Sequence, residues 1–365
     1  MVTPRKDPYG RRLRRLQRAI RRERLDALLV WDRANTRYLT GFQGTASLIC
    51  LTPAQGFFLT DFRYTNIARA SVRHLRIVEA KPPEASRLAS LVSRLHARRI
   101  GFEDLVPYRL FKAWQEKLAG VELVEATALL RGLRERKERD ELRRIVQAQR
   151  IAERALDRVL AKCRPGVTER QLAREVSHAI EAEGGDGPAF DPIIASGPNA
   201  ALPHARPGDR QLKRGDFVIF DLGVSQDGYV SDMTRTVVVG KASERQKQVY
   251  AIVLKAQQRA IARVRDGIAA KAVDHAARQW IDGRGFGKCF GHGSGHGVGL
   301  EVHEAPAINA QSTDILRTGM VVTIEPGIYV RNWGGVRVED MVLVKRSGHE
   351  VLGRYPKYLI ECRER

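Results

Sequence analysis

Cysteine is scarce in this chain: four in 365 residues (Cys50, Cys163, Cys289, Cys362), with no C-x-x-C pair among them. That spacing speaks against a disulfide-stapled secreted scaffold and against a thiolate zinc site, and it points to a reducing cytoplasm. Long apolar runs are missing too. Residues 27–31 are typical of the longest, far short of the roughly 18 needed to cross a bilayer, so no membrane segment is expected. The N-terminus is basic without an apolar stretch behind it, which is not the pattern of a secretory leader. Negative charge is in deficit, with 42 Asp+Glu against 63 Lys+Arg and a formal charge of +21. Yet 43% of residues are hydrophobic and 29% charged, the balance of a folded chain, and the length suits two domains.

Much of the positive excess is local. Residues 1–24 hold Arg5, Lys6, Arg11, Arg12, Arg14, Arg15, Arg18, Arg21, Arg22 and Arg24 against Asp7 and Glu23. Leu13, Leu16 and Ile20 fall at i, i+3, i+7, which predicts an amphipathic helix with an arginine-coated outer face. Contact with nucleic acid or a membrane surface is one reading. A solvated face is the other, and the lack of interleaved aromatic or Gly-rich recognition motifs favours it. A removable transit peptide fits poorly, because the helix runs straight into the apolar 26–31 segment.

From residue 25 to about 130, strands expected at 27–31, 47–51, 56–60 and 99–102 alternate with helices at 63–72, 84–97 and 111–118, an α/β domain over residues 1–130. The charged stretch 131–144 is expected to continue as a helix with Leu142, Ile145, Val146, Ala152 and Leu156 on one side, opening a second domain over 131–365. The next helix begins at Thr168, where Thr168 and Gln171 have capping-box spacing. Beyond Gly184, Gly/Pro-rich loops separate β-branched strands, with helices at 244–264 and 270–282.

This second half repeats itself. Residues 215–223 (GDFVIFDLG) line up with 319–327 (GMVVTIEPG), and each places an acid six residues after the first Gly. Each strand turns and returns through another acid, Asp232 or Glu339, followed by a β run, so a duplicated α+β scaffold is expected. With Gln226-Asp227 as the turn, Asp221 opposes Asp232; counting outward from Asn332, Glu325 opposes Glu339. Opposed carboxylates on strands rich in Val, Ile and Phe repel strongly. Four of them call for positive charge, which two divalent cations balance; Arg235 and Arg337 are alternative partners. Residues 289–303 (CFGHGSGHGVGLEVH) supply imidazoles at His292, His296 and His303. No Lys-Ser/Thr follows for a P-loop, G-x-S-x-G is not formed around Ser294, and His303 does not begin an H-E-x-x-H. Hard oxygen donors with one imidazole suit Mn²⁺, Co²⁺ or Zn²⁺.

In order and context Asp221, Asp232, His296, Glu325 and Glu339 resemble the ligand set of the dinuclear "pita-bread" metallopeptidases. The resemblance is strongest to prolidase and aminopeptidase P, since residues 35–42 (NTRYLTGF) and 60–64 (TDFRY) also look like their N-terminal domain. It implies a creatinase/prolidase-like α/β domain followed by a pita-bread catalytic domain. It further implies that Asp221 chelates one of two metal ions, Mn²⁺ foremost, that Asp232 and Glu339 bridge both, and that His296 and Glu325 complete the coordination of the second metal. Glu325 would carry the proton, His204 and His303 would face the substrate, and His292 would line the pocket. Tyr329 and Arg337 match a proton relay, or else simply orient the carboxylates. The implied activity is hydrolysis of Xaa-Pro bonds in peptides or dipeptides, in a cytoplasmic homodimer.

Two other outcomes are open to this fold. Metal-free relatives act as binding modules for nucleic acid, chromatin or ribosomes, and creatine amidinohydrolase works without metals. Both usually lack the five ligands that are present here.

Overall fold

The computed structural model describes residues 7–80 and 84–362; Arg5 and Lys6 of the expected basic helix lie outside them. The chain divides into two compact units, Met1–Arg134 and Glu135–Arg365.

The first unit is built on a six-stranded mixed sheet of β1 (Ala27–Val30), β2 (Leu48–Leu51), β3 (Gly56–Thr60), β4 (Arg76–Glu79), β5 (Arg99–Phe102) and β6 (Glu122–Glu125), in the order β4-β3-β2-β1-β5-β6. Its helices are α1 (Pro8–Arg22), α2 (Arg33–Thr40), α3 (Phe62–Ser71), α4 (Glu84–Arg94), α5 (Tyr108–Lys117) and α6 (Thr127–Arg134). Leu88 and Leu91 of α4 and Trp114 of α5 join the sheet core. The apolar face of α1 is buried as its periodicity requires. Not all of its arginines lie on the outer face, however. Arg12 is buried, donates to the Tyr38 carbonyl at 2.8 Å and stacks 4.0 Å above the Tyr38 ring. A guanidinium tolerates this because its flat face pairs with an aromatic while its edge still donates.

In the second unit the helices are α7 (Arg139–Leu160), α8 (Glu169–Ala182), α9 (Glu244–Ile261) and α10 (Ala270–Asp282). The helix expected to run through 131–144 is broken: α6 stops at Arg134, and α7 restarts where the Glu141 side chain accepts from the Glu138 N–H at 2.8 Å. Charge density alone concealed that capping box.

Its strands fall into two main sheets. The first contains β8 (Ile193–Ser196), β9 (Phe217–Leu222), β12 (Met233–Val239) and β20 (Ile360–Cys362), in the order β20-β12-β9-β8. A small three-stranded sheet joins β7 (Gly187–Pro188), β10 (Val224–Gln226) and β11 (Tyr229–Val230). The second main sheet contains β13 (Gly295–Gly297), β14 (Glu304–Ile308), β15 (Val321–Ile324), β18 (Asp340–Lys345) and β19 (Gly348–Val351). A two-stranded ribbon of β16 (Gly327–Val330) and β17 (Gly334–Arg337) sits between β15 and β18 in the chain.

The duplication is visible in hydrogen bonds. In one half Gly166 N–H donates to Leu212 O and Leu212 N–H to Val167 O; in the other Gly267 N–H donates to Leu316 O and Leu316 N–H to Ile268 O. Helices α7 and α8 pack on β9 and β12, and α9 and α10 on β15, β16 and β18.

The first hairpin turns one residue later than expected. Asp227 and Gly228 take the positive φ values of 49° and 77°, and Gln226 pairs with Tyr229. Thr234, not Asp232, therefore stands opposite Asp221. Gly accepts left-handed backbone freely and Asp tolerates it, so Asp-Gly is the better two-residue turn. Moving the turn centre by one residue shifts every pairing by two, which leaves Asp232 on the same face as Asp221, on a diagonal. In the second hairpin Gly327 pairs with Arg337 and Ile324 with Asp340, so Glu325 stands across from Glu339.

Candidate metal centre

The two hairpins and β13 bring their chemistry to one place. Asp232 and Glu339 are 4% and 2% exposed, and with His296 they offer one donor atom each within 4.8 Å of one another. The His296 Nε2 lies 3.7 Å from Asp232 Oδ2 and 3.5 Å from Glu325 Oε1. Its Nδ1 faces the Gly297 carbonyl at 3.1 Å. A carbonyl only accepts, so Nδ1 carries the proton and Nε2 presents a lone pair to two carboxylates. Burial lowers the His296 pKa to about 4, which keeps the ring neutral.

Three electron-rich groups facing one another are unstable unless a cation lies between them. Asp232 and Glu339 accordingly sit well above the usual carboxylate range, through burial first and then mutual repulsion. Glu325 is pushed up to about 7 by burial, with Asp221 adding and Arg337 opposing. The Asp221 Oδ1 is buried without a hydrogen-bond partner. This donor set, hard oxygens with one neutral imidazole, fits divalent cations.

Glycines let β13 come this close. A Cβ at Gly295 would lie 2.0 Å from the Thr323 carbonyl oxygen, and one at Gly297 2.1 Å from that of Ala305.

Around the donors runs a directional chain. Arg337, 3% exposed, donates through Nη2 to Asp221 Oδ2 at 2.5 Å and through Nη1 to the Tyr329 oxygen at 2.8 Å. His292 Nδ1 faces Gly293 O at 2.7 Å, so its Nε2 accepts from the Tyr329 hydroxyl at 2.9 Å. Burial lowers the His292 pKa to about 4 and raises that of Tyr329 to about 12, so both stay neutral in these roles.

His303 packs with its ring centroid 4.3 Å from that of His296. His204, which is exposed, lies near enough to His292 to lower its pKa; its loop is tied in by Arg337 Nη1 donating to Pro203 O. Of the two arginines considered as partners for the acids, only Arg337 reaches a carboxylate of the five; Arg235 meets Glu339 at its backbone carbonyl alone. Arg235 turns away to Asp340, at 2.8 Å.

Three supporting residues escaped the sequence reading. Thr234 donates its hydroxyl to Glu339 Oε2 at 2.7 Å, and its spacing of two from Asp232 was the available signal. Glu169 of α8 holds Ser196, Asn199 and Gly208, framing the segment that carries His204. Asp274 of α10 takes the N–H and hydroxyl of Ser294, whose carbonyl accepts from Glu325 N–H. Nothing in sequence distance connects these last two to their clients.

Known proteins show the same build. Residues 143–346 match the model of metallopeptidase family M24, and residues 12–136 that of the creatinase/prolidase N-terminal domain. An uncharacterized peptidase of Bacillus subtilis (strain 168) is 36% identical over 337 residues, 92% of this chain and 96% of that one. A solved Xaa-Pro dipeptidase from Bacillus anthracis superposes with a TM-score of 0.93 at 36% identity, covering 96% of this chain and 99% of its own. An X-Pro aminopeptidase from Thermotoga maritima gives 0.89 at 34% identity, covering 95% and 99%. No helix among the described residues is long and apolar enough to cross a membrane. With matched family models in both units, the chain belongs to metallopeptidase family M24, a creatinase/prolidase N-terminal domain preceding its pita-bread catalytic domain.

Proposed function

We propose that this protein is a dinuclear metal-dependent Xaa-Pro peptidase. The observation that carries it is the His296 Nε2 lone pair converging with Asp232, Glu325 and Glu339. Asp221, Asp232, His296, Glu325 and Glu339 would hold two divalent cations, Mn²⁺ by preference, with Co²⁺ or Zn²⁺ as alternatives. When bound, such ions acidify water and polarise a scissile carbonyl.

The remaining chemistry belongs to side chains. Glu325 would take the proton released by water and pass it to the leaving nitrogen as the C–N bond breaks. His204 and His303 would donate to the carbonyl oxygen as charge builds on it. The chain from Arg337 through Tyr329 to His292 fixes Asp221 and one pocket wall. A prolyl nitrogen has no N–H, which favours a dedicated enzyme, and the relatives above are named for Xaa-Pro bonds. A non-catalytic nucleic-acid module would have no use for this donor set. We read the active form as a cytoplasmic homodimer, checked by sedimentation and fractionation.

Metal analysis with turnover of Ala-Pro and Ala-Pro-Ala is the test, run beside Asp232→Asn. Bound metal and cleavage of either peptide, both lost in the variant, are expected. A metal-loaded protein that cleaves neither, or a fully active variant, would refute the reading. Preference for the tripeptide marks the aminopeptidase P type, and preference for the dipeptide marks prolidase.

A further inference from the structure

Away from the metal ligands, α9 and α10 flank an open pocket of about 480 Å³, within the size range of small-molecule sites. Its charged lining is one-sided: Arg259 and Arg263 from the end of α9 and just beyond, and Lys271 and Arg278 from α10, against the single acid Asp274. That acid is already engaged. It is 1% exposed, accepts from Arg278 Nε and Nη2 at 2.9 Å each, and takes the Ser294 hydroxyl at 2.8 Å. Among the described residues Arg259, Arg263 and Lys271 form no ion pair.

The other half of the repeat shows what is missing. There α8 opens with Glu169 behind a Thr168 cap, an acid at the positive end of the helix. In α10 the equivalent start is Ala270 behind Ala269, with no side-chain cap and no acid in the first turn. The Ala270 N–H already donates to the Asp314 carbonyl, so it is the cations, which form no ion pair, that favour an anion. Arg259 lies on α9, Arg263 just beyond its end and Lys271 at the start of α10, and all three line the same pocket. An anion charged along its length reaches all three, and the guanidinium fork suits phosphate oxygens.

We propose that the α9–α10 pocket binds a short linear polyphosphate, free or as part of a nucleotide, through Arg259, Arg263, Lys271 and Arg278. The site also touches the metal centre's scaffold. Arg278 donates to Phe290 O at 3.0 Å and to His292 O at 2.7 Å, so a ligand drawing on Arg278 acts on the segment leading to His296.

The test is calorimetric titration of the metal-loaded full chain with inorganic tripolyphosphate and with a nucleoside triphosphate. One saturable site per chain is expected. The exposed pair Arg263→Ala/Lys271→Ala should weaken binding about tenfold or more without changing the melting temperature. Arg14→Gln/Arg18→Gln/Arg21→Gln on α1 should leave it unchanged, which separates a site from general attraction to a basic protein. Because polyphosphates chelate metals, Asp232→Asn is titrated in parallel and should bind equally. Tighter binding of the nucleotide identifies it as the ligand, and equal binding identifies the free anion; either supports the site. No saturable binding, equal loss in both arginine sets, or loss in Asp232→Asn overturns it.

Discussion

The two halves of the catalytic unit solve one problem twice with different charges. In the first, Glu169 on α8 grips the N–H and hydroxyl of Ser196. In the second, Asp274 on α10 grips the same two groups of Ser294. Glu169's other partners are neutral, Asn199 and the Gly208 N–H, whereas Asp274 is also paired with Arg278. The first acid steadies the segment leading to His204, the second the one leading to His296. A repeated scaffold can therefore keep a hydrogen-bonding device while one copy leads to His204, proposed to face substrate, and the other to His296, proposed to hold metal.

Removing the two acids is the sharpest way to break that comparison. Asp274→Ala leaves a cation and two buried donors unmatched and should cost about 3 kcal/mol, with a fall in metal affinity. Glu169→Ala strands only neutral donors, at about 2 kcal/mol, and should raise KM while metal content holds. Denaturation midpoints and metal analysis of both variants check this; equal metal loss in the two would erase the distinction.

Neighbouring acids sharpen it in a different way. Glu325 stands near 7, and Asp232 and Glu339 are raised by burial and mutual repulsion. A raised acid favours the fold when protonated, so metal-free protein should lose stability as pH climbs from about 4.3, the unfolded value, through 7. Asp340, next to Glu339, goes the other way: burial pushes it up, but Arg235 and Lys357 outweigh burial and hold it low. Its contribution is present above about 3.9, the unfolded value, and fades as pH falls below that. Metal-free protein should thus be most stable in mild acid, and added Mn²⁺ should raise the melting temperature more at pH 8 than at pH 6. A metal shift independent of pH contradicts this.

Smaller effects follow. Tyr329→Phe cuts the chain between Arg337 and His292 and should lower kcat about tenfold with metal content unchanged, as kinetics and metal analysis will show. Neutralising Arg14, Arg18 and Arg21 on α1 should change stability by about 0.5 kcal/mol or less and leave turnover alone. A large loss would give that face a role beyond solvation.

Local signals were legible in the sequence: the capping box at Thr168, the buried stripe of Leu13, Leu16 and Ile20, and the repeat around Asp221 and Glu325. Where the reading slipped, two local rules competed, as at Asp227-Gly228, where turn chemistry overrode a count from the neighbouring residue. The α6–α7 break hid for a similar reason, since its cap is built from the same charged residues as the helix around it. Residues such as Asp274 and Glu169 stayed invisible because their clients lie about 20 or more positions away, and only the tertiary fold brings them together.

Gly295 and Gly297 have a consequence for how such a chain can vary over time. With carbonyl oxygens where any methyl group would go, neither position has a neighbouring sequence through which it can drift one substitution at a time. The two residues flanking His296 are thus held to glycine by the backbone packed against them, whatever the histidine between them does.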